Sequence, residues 1–293
     1  MFHVEQTYFK IYNLKITKVI IKDYSVSGEK FELVYNAQYD LYQTTPIPEQ
    51  LDRYYESENY ISHTDSNKGW FDALYQYVKK INLKHKIKLI KDYKAQSSLQ
   101  LLDIGAGTGD FLKICEQQQW QITGVEPSVK AQEKAREKGI ILESDYHKLP
   151  MHTYDVITLW HVLEHLPNIE TTIHTIANLL KDNGLLVIAV PNYRSWDAQH
   201  YQQYWAAYDV PRHLWHFSED SIKRLFAKEG LKVIAKKPML FDAFYVSMLS
   251  EQYKTGKKSF IKGVFNGLRS NLYGMIKGEY SSQVYFLSAR REL

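Results

Sequence analysis

Beyond the polar segment that ends near residue 100, the chain alternates short apolar runs with polar stretches of helical length. Leu101-Leu102-Asp103-Ile104-Gly105 is the first run, and a helix from Asp110 to about Gln119 is predicted behind it. WQITGVEP, GIILESD, YDVITLWHV and GLLVIAVPN read as the second to fifth strands, with helices predicted over KAQEKAREKG and residues 169–181. LKVIAKKPML and SSQVYFLSARREL add a sixth and a seventh strand, and a helix opened by Ser218 with acids in its first turn precedes the sixth. Near-continuous apolar strands alternating with helices at short spacing predict a mostly parallel sheet covered on both faces, a doubly wound α/β domain.

The rhythm differs outside that region. Residues 7–45 are rich in Tyr, Ile, Val, Lys and Thr and read as two or three strands with a turn at Ser27-Gly28, giving an antiparallel β appendage over residues 1–50. Pro46 and Pro48 end it. From Trp70 to about Lys91, Phe71, Leu74, Tyr75, Val78 and Ile81 recur at steps of three and four, so residues 51–95 are expected to be a helical lead-in to a domain spanning 96–293. Residues 191–217 are dense in aromatics and are expected to line a pocket or form its lid. Residues 240–278 are amphipathic and basic, with Lys254, Lys257, Lys258, Lys262 and Arg269. A helical insertion with a solvated face is the expectation there, with a homodimer contact or a peripheral membrane element as the alternatives.

With 44% hydrophobic and 24% charged residues, the 293-residue chain can bury one main core plus an appendage, which excludes a disordered or fibrous protein. The 37 Lys+Arg against 33 Asp+Glu leave +4, too weak and too scattered to mark a nucleic-acid surface. A single cysteine, Cys115, excludes an internal disulfide and a cysteine-rich zinc cluster and fits a reducing compartment. No apolar run approaches a membrane span, and the opening residues lack the basic-then-apolar order of a secretion signal, so a cytoplasmic location is expected.

Candidate chemistry begins at the end of the first strand, in Asp103-Ile104-Gly105-Ala106-Gly107-Thr108-Gly109-Asp110. Glycines at alternate positions let the main chain turn sharply and approach a ligand at the carboxyl end of a strand, where open α/β sheets bind ligands. A dinucleotide fingerprint would place glycine where Asp110 stands, and that carboxylate would occupy the position of a pyrophosphate. A nucleoside-triphosphate loop would need Gly-Lys-Ser/Thr, whereas Gly109-Asp110-Phe111 is present. Glu126 closes the second strand, placed to accept from two vicinal ribose hydroxyls, and Asp145 closes the third, within range of an adenine amine. Three acids and a glycine loop without phosphate chemistry describe a site for a cationic nucleoside.

At these residues the chain resembles the class I S-adenosylmethionine-dependent methyltransferases, and more narrowly a group with an "EH" pair after the fourth strand and a "PRHLxHFS"-like segment after the fifth. The resemblance covers roughly residues 50–235, including YYESENYISH, LLDIGAGTGDFL, GVEPS, WHVLEHLPN and VPRHLWHFS. It implies a seven-stranded Rossmann-like sheet and S-adenosylmethionine as cofactor. It also implies a methionine site on Asp103, Gly105, Ala106 and Gly107, a ribose on Glu126, Pro127 and Ser128 against the adenine, and Asp145 with Tyr146 at the base edge. Trp160 is expected near the sulfonium, where an aromatic face contributes roughly 0.5–2 kcal/mol, or else in the core.

Methyl transfer is a backside displacement, so it needs alignment and an acceptor lone pair, and a hydroxyl acceptor needs a base. The candidates are His161, His165, His213 and His216, with His165 and His213 favoured. The histidines and Glu164 lack the HExxH order of a zinc protease, and no metal is expected. Many relatives carry an N-terminal zinc ribbon, but Asn36 and Tyr39 stand here where its thiolates would fall, so a metal-free ribbon remnant is expected. Methylation of a small-molecule hydroxyl, on a sugar, glycan or natural-product intermediate, is the expected function. An RNA or protein methyltransferase and a non-catalytic cofactor-binding module are the rivals.

Overall fold

The structure, a computed structural model, describes residues 18–55 and 70–289. In chain order its elements are β1 (Lys18–Lys22), β2 (Lys30–Asn36), β3 (Leu41–Thr45), α1 (Trp70–Lys91), β4 (Gln100–Ile104) and α2 (Asp110–Glu116). Then come β5 (Gln121–Val125), α3 (Val129–Glu137), β6 (Tyr154–Trp160), α4 (Ile169–Leu179), β7 (Leu180–Pro191), α5 (Trp196–Tyr201) and β8 (Trp215–His216). The chain closes with α6 (Glu219–Ala227), β9 (Leu231–Pro238), α7 (Leu240–Thr255), α8 (Phe260–Lys277) and β10 (Ser282–Ala289). Residues 7–17 of the expected N-terminal sheet and residues 56–63 of the YYESENYISH segment lie outside the described residues.

Two compact units are present, each assembled from separate stretches of chain. Among the described residues, one comprises 70–190, 225–237 and 284–289. It holds a six-stranded sheet in the order β5-β4-β6-β7-β10-β9, with β4 parallel to both neighbours and β6 parallel to β7. The inner strands are buried on both faces, which explains their unbroken apolar sequence: Leu101, Leu102 and Ile104 in β4, Val156, Ile157 and Leu159 in β6, and residues 185–190 in β7. Helix α4 presents Ile169, Ile173, Ile176 and Leu179 to this core at helical spacing.

Six strands stand where seven are predicted. GIILESD makes only one bridge, Val125 to Glu143, although Glu143 N–H donates to Gly124 O and Glu126 N–H to Glu143 O, each at 2.9 Å. Ile140 and Leu142 are buried, Ile140 beside Gly109 and Leu142 over Gly124 of β5, while Ile141 faces solvent. Their hydrophobicity serves packing rather than a ladder.

Among the described residues, the second unit comprises 18–55, 191–224 and 238–283. Strands β1 to β3 form an antiparallel meander, and β3 pairs antiparallel with the two-residue β8. Gly28, at φ +72°, closes the expected turn between β1 and β2. Asn36 Oδ1 accepts from Gln38 N–H at 3.0 Å and Tyr39 N–H at 3.4 Å, so a side-chain amide closes the turn where the ribbon's thiolates would stand.

Tyr201, Trp205 and Tyr208 pack with Ile21, Phe31 and Leu33 of the meander in one core, and Phe217 is also fully buried. These aromatics of the 191–217 segment therefore fill an interior. Carboxylates tie the pieces together. Asp40 accepts from Tyr35 Oη (2.6 Å), Arg194 (2.6 Å) and Ser218 Oγ (2.5 Å), while Asp197 accepts from Trp205 Nε1 (2.8 Å), Ser270 Oγ (2.7 Å) and Ser281 Oγ (2.6 Å).

Arg212 has no exposed side-chain surface. Its guanidinium reaches Asp209 (2.6 and 3.0 Å), Asp23 (3.3 Å), the Tyr54 carbonyl (3.2 Å) and Ser25 Oγ. Burial works against an ionised Asp23, but the Ser27 N–H and the Arg212 charge outweigh it and hold that carboxyl below its usual range.

Candidate functional site

β4 lies between β5 and β6, and Ile104 at its end is level with Val125 on one side and Leu159 on the other. The chain leaves β4 to build β5 and returns on the opposite side to build β6. That makes the end of β4 a topological switch point, where open parallel sheets hold ligands beyond the strand tips.

The loop after β4 bends back onto β5, with Gly105 and Ala106 N–H both donating to the Val125 carbonyl at 2.8 and 2.9 Å. Its glycines have different reasons. At Gly105 a Cβ would lie 2.3 Å from Val162 Cγ2, and at Gly109 it would meet Ala135 and Ile140 at 3.2 Å, so close packing adds to the left-handed φ of +74° and +75° at these two. At Gly107, with φ +54°, nothing lies within 4 Å of where the Cβ would be. The bare main chain that faces open space is Gly107.

Glu126, at the tip of β5, turns back to this loop. Its Oε2 accepts from Gly107 N–H at 2.9 Å and its Oε1 from Ser128 N–H at 3.0 Å. One backbone donor on each oxygen fixes the carboxylate and leaves each oxygen able to accept again. Ser128 also caps α3 through Ala131 N–H at 3.4 Å, and Pro127 is exposed beside it.

Asp110, in the first turn of α2, is paired with Lys138 at 2.8 Å, and Lys138 also donates to the carbonyl and hydroxyl of Thr108 at 2.9 Å. A carboxylate already occupies the helix N-terminus that a pyrophosphate would need.

Asp103 is buried and accepts from Thr158 Oγ1 at 2.5 Å. Burial pushes its carboxyl up to about 7, against the lowering effects of Thr158 and of the Lys86 charge. Asp145 Oδ1 caps a short turn by accepting from His147 N–H at 2.9 Å, and Tyr146 stacks on His147 at 4.4 Å. Trp160 ends β6 with its ring under the Lys86 ammonium, 4.3 Å from the centroid, and edge-on to Phe111 at 5.7 Å. A lysine thus already supplies a cation at that indole.

The histidines divide by environment. His161 follows β6 at φ +58°, half-buried, with Nδ1 3.3 Å from Oε1 of the buried Glu164. His165 ends the turn Leu163–His165, half-buried, its N–H bonded to the Val162 carbonyl at 3.0 Å. His213 belongs to the other unit and holds the Ala207 carbonyl through Nδ1 at 2.8 Å. His216 is buried in β8, its Nε2 2.9 Å from Thr44 Oγ1, and burial together with the nearby His213 lowers its pKa well below the usual value. Its neutral ring serves the sheet.

Sequence reasoning missed two contributors, Lys138, which locks Asp110, and Val162, which dictates Gly105. Both depend on contacts between residues distant in the chain. Glu164, which the sequence already set among the histidines, lies 3.3 Å from His161 Nδ1.

A glycine whose Cβ direction is open, a fixed acid beside it able to accept from a diol, and a phosphate-excluding loop together fit a non-phosphorylated nucleoside at a parallel-strand switch point. The fold and site define a nucleoside-binding domain of the methyltransferase class. A family model described as "Methyltransferase domain" matches residues 62–236, more than half of the chain, and the chain belongs to this family, the class I S-adenosylmethionine-dependent methyltransferases.

Relatives include the ubiquinone biosynthesis O-methyltransferases of Rickettsia canadensis (28% identical over 141 residues, 45% of this chain and 60% of the relative) and Rickettsia felis (30% over 142 residues, 45% and 58%). The chain thus spans about three fifths of the length of these curated relatives. Phosphoethanolamine N-methyltransferase 2 of Haemonchus contortus, solved in complex with S-adenosyl-L-methionine, shares the fold at a TM-score of 0.55 and 12% identity, over 99% of this chain and 75% of that one.

Proposed function

We propose that this protein transfers the methyl group of S-adenosylmethionine to an oxygen of a small molecule, a hydroxyl of a sugar, lipid-linked glycan or natural-product intermediate. One observation carries the cofactor assignment: the Glu126 carboxylate is pinned by the Gly107 and Ser128 N–H groups beside an open Gly107. The O-methyltransferase names of the relatives support oxygen as the accepting atom.

When bound, S-adenosylmethionine supplies a methyl group on a cationic sulfur. Glu126 would hold the ribose hydroxyls, and Gly105, Ala106 and Gly107 would offer main chain to the methionine portion, with Asp103 behind them. Pro127, Ser128, Asp145 and Tyr146 would border the base. His161 is the base best supported by geometry. Its Nδ1 lies 3.3 Å from Glu164 Oε1, so with Nδ1 protonated the carboxylate would orient the ring and Nε2 would be the atom to take the acceptor's proton. Glu164 is a positioning residue for that ring, and His165 is the second candidate.

Calorimetric titration with S-adenosylmethionine and its demethylated product, followed by a mass-shift screen of candidate hydroxyl acceptors, tests this reading. Glu126→Ala is expected to weaken cofactor binding by about 10–100-fold, the loss of charge-assisted bonds to a diol. Unchanged affinity would remove the ribose assignment. On an acceptor found by the screen, His161→Ala is expected to lower turnover by about 10²–10⁴-fold with cofactor affinity kept. Full activity in that variant and loss in His165→Ala would move the base to His165.

A further inference from the structure

We propose that the outward face of α8 seats this protein on an anionic phospholipid surface. The inference is independent of methyl transfer and rests on the polarity of one helix. Ile261, Phe265, Leu268, Leu272, Met275 and Ile276 fall on one stripe of α8, within an arc of about 100°, and each is 51–82% exposed. The opposite, buried side carries Gly263, Gly267, Ser270, Asn271 and Gly274. The polarity is inverted, with small and polar residues inside and large apolar ones outside.

This orientation is enforced. A Cβ at Gly263 would lie 2.8 Å from Met248 Cα, one at Gly267 would lie 2.7 Å from Phe244 Cα, and one at Gly274 would meet the Tyr280 ring at 2.5 Å. Turning α8 by half a rotation would put isoleucine and phenylalanine where no Cβ fits. The apolar stripe therefore has no place inside its own unit.

Charge selects the occupant. Residues 240–278 carry Lys254, Lys257, Lys258, Lys262, Arg269 and Lys277 against Asp242 and Glu251, and Glu251 is buried. Lys262 and Arg269 lie along one edge of the stripe, Lys262 paired with Glu251 at 3.3 Å and Arg269 over the Trp196 ring at 4.8 Å. A depression of about 500 Å³ lined by Lys254, Lys262 and the buried Glu251 that pairs with Lys262 opens beside Ile261 and Phe265, so the Lys254 ammonium adjoins the apolar residues where a phosphate headgroup would lie next to its acyl chains. A second copy of the chain, placed by a two-fold axis, would bring the same basic residues face to face. An anionic bilayer neutralises them instead. Among the described residues no helix is long and apolar enough to cross a membrane. Such a face lies in the interface, with its apolar side chains at the boundary between headgroups and acyl chains.

Flotation of the full chain with phosphatidylcholine vesicles, with and without phosphatidylglycerol, tests the proposal. Binding is expected to the phosphatidylglycerol vesicles only and to weaken as salt rises. The exposed triple substitution Ile261→Ser, Phe265→Ser, Ile276→Ser is expected to weaken that binding at least about tenfold, with the melting temperature kept. Lys254→Glu, Lys257→Glu, Lys258→Glu is expected to abolish the preference for phosphatidylglycerol. A parent protein that floats with neither vesicle, or a serine variant that floats as the parent does, would overturn the proposal. So would sedimentation showing a dimer that the serine variant dissolves, since it would give the face to a second copy. Titration of S-adenosylmethionine into the same samples reports on the cofactor site separately.

Discussion

Arginine in place of Gly107 is expected to abolish S-adenosylmethionine binding while the protein stays folded. The position has φ +54° and open space where a Cβ would stand. A non-glycine residue there carries a backbone strain of about 1–2 kcal/mol and no clash. The long side chain would instead lie across the main chain that faces the ligand, and its charge would oppose a cationic sulfur beside Glu126. Calorimetry should show the dissociation constant raised at least about a hundredfold, or about 2.7 kcal/mol, with the thermal transition lowered by only a few degrees. Gly105→Ala is the contrasting control. Its added methyl would fall 2.3 Å from Val162 Cγ2, so it should lower the transition itself. Binding of the cofactor by the arginine variant at the parent's affinity would remove this loop from the site.

The second large effect is expected at Arg212. Removing a buried guanidinium leaves Asp23 buried without its cation and Asp209 without its paired donors, and breaking such a pair costs about 3–5 kcal/mol. Arg212→Ala should therefore lower the urea midpoint for unfolding of the unit that holds β1 to β3. Arg212→Met, which keeps much of the volume, should lose nearly as much. Adding Asp23→Asn and Asp209→Asn to the methionine variant should recover part of the loss, because the uncompensated charges go with them. An unchanged midpoint in Arg212→Ala would show that the network carries little stability.

Much of the parallel-sheet unit was legible in the sequence because its signals are local. Gly105, Gly107 and Asp110 sit in a single turn, and Glu126 ends the next apolar run, so strand, loop and acid could be read from spacing alone. The strand expected over GIILESD was not, because Ile140 and Leu142 look the same whether they join a ladder or only pack beside one. β8 has two residues, and its partner strand lies about 170 positions upstream in sequence terms. No window of local pattern contains it.

The aromatics of 191–217 illustrate a related limit, since Trp205 and Tyr208 have the composition of a ligand pocket and the burial of a core. The periodicity of α8 revealed its stripe but not its direction. A solvated polar face was the natural expectation. Gly263 and Gly267 reversed it by allowing close backbone contact on the small side. The partner of His216 was hidden for a comparable reason, because Thr44 comes from the far end of the chain.

The pairing of Asp23 with Arg212 has a consequence for biosynthesis. When the ribosome releases the three N-terminal strands, the arginine that neutralises Asp23 has not been made, nor has Ser218, which closes on Asp40. At translation rates of about 5–20 residues per second, the gap is on the order of 10–40 s. The nascent segment must wait through the emergence of four of the six strands of the other sheet, and a truncated product ending before position 212 would leave Asp23 permanently without its cation.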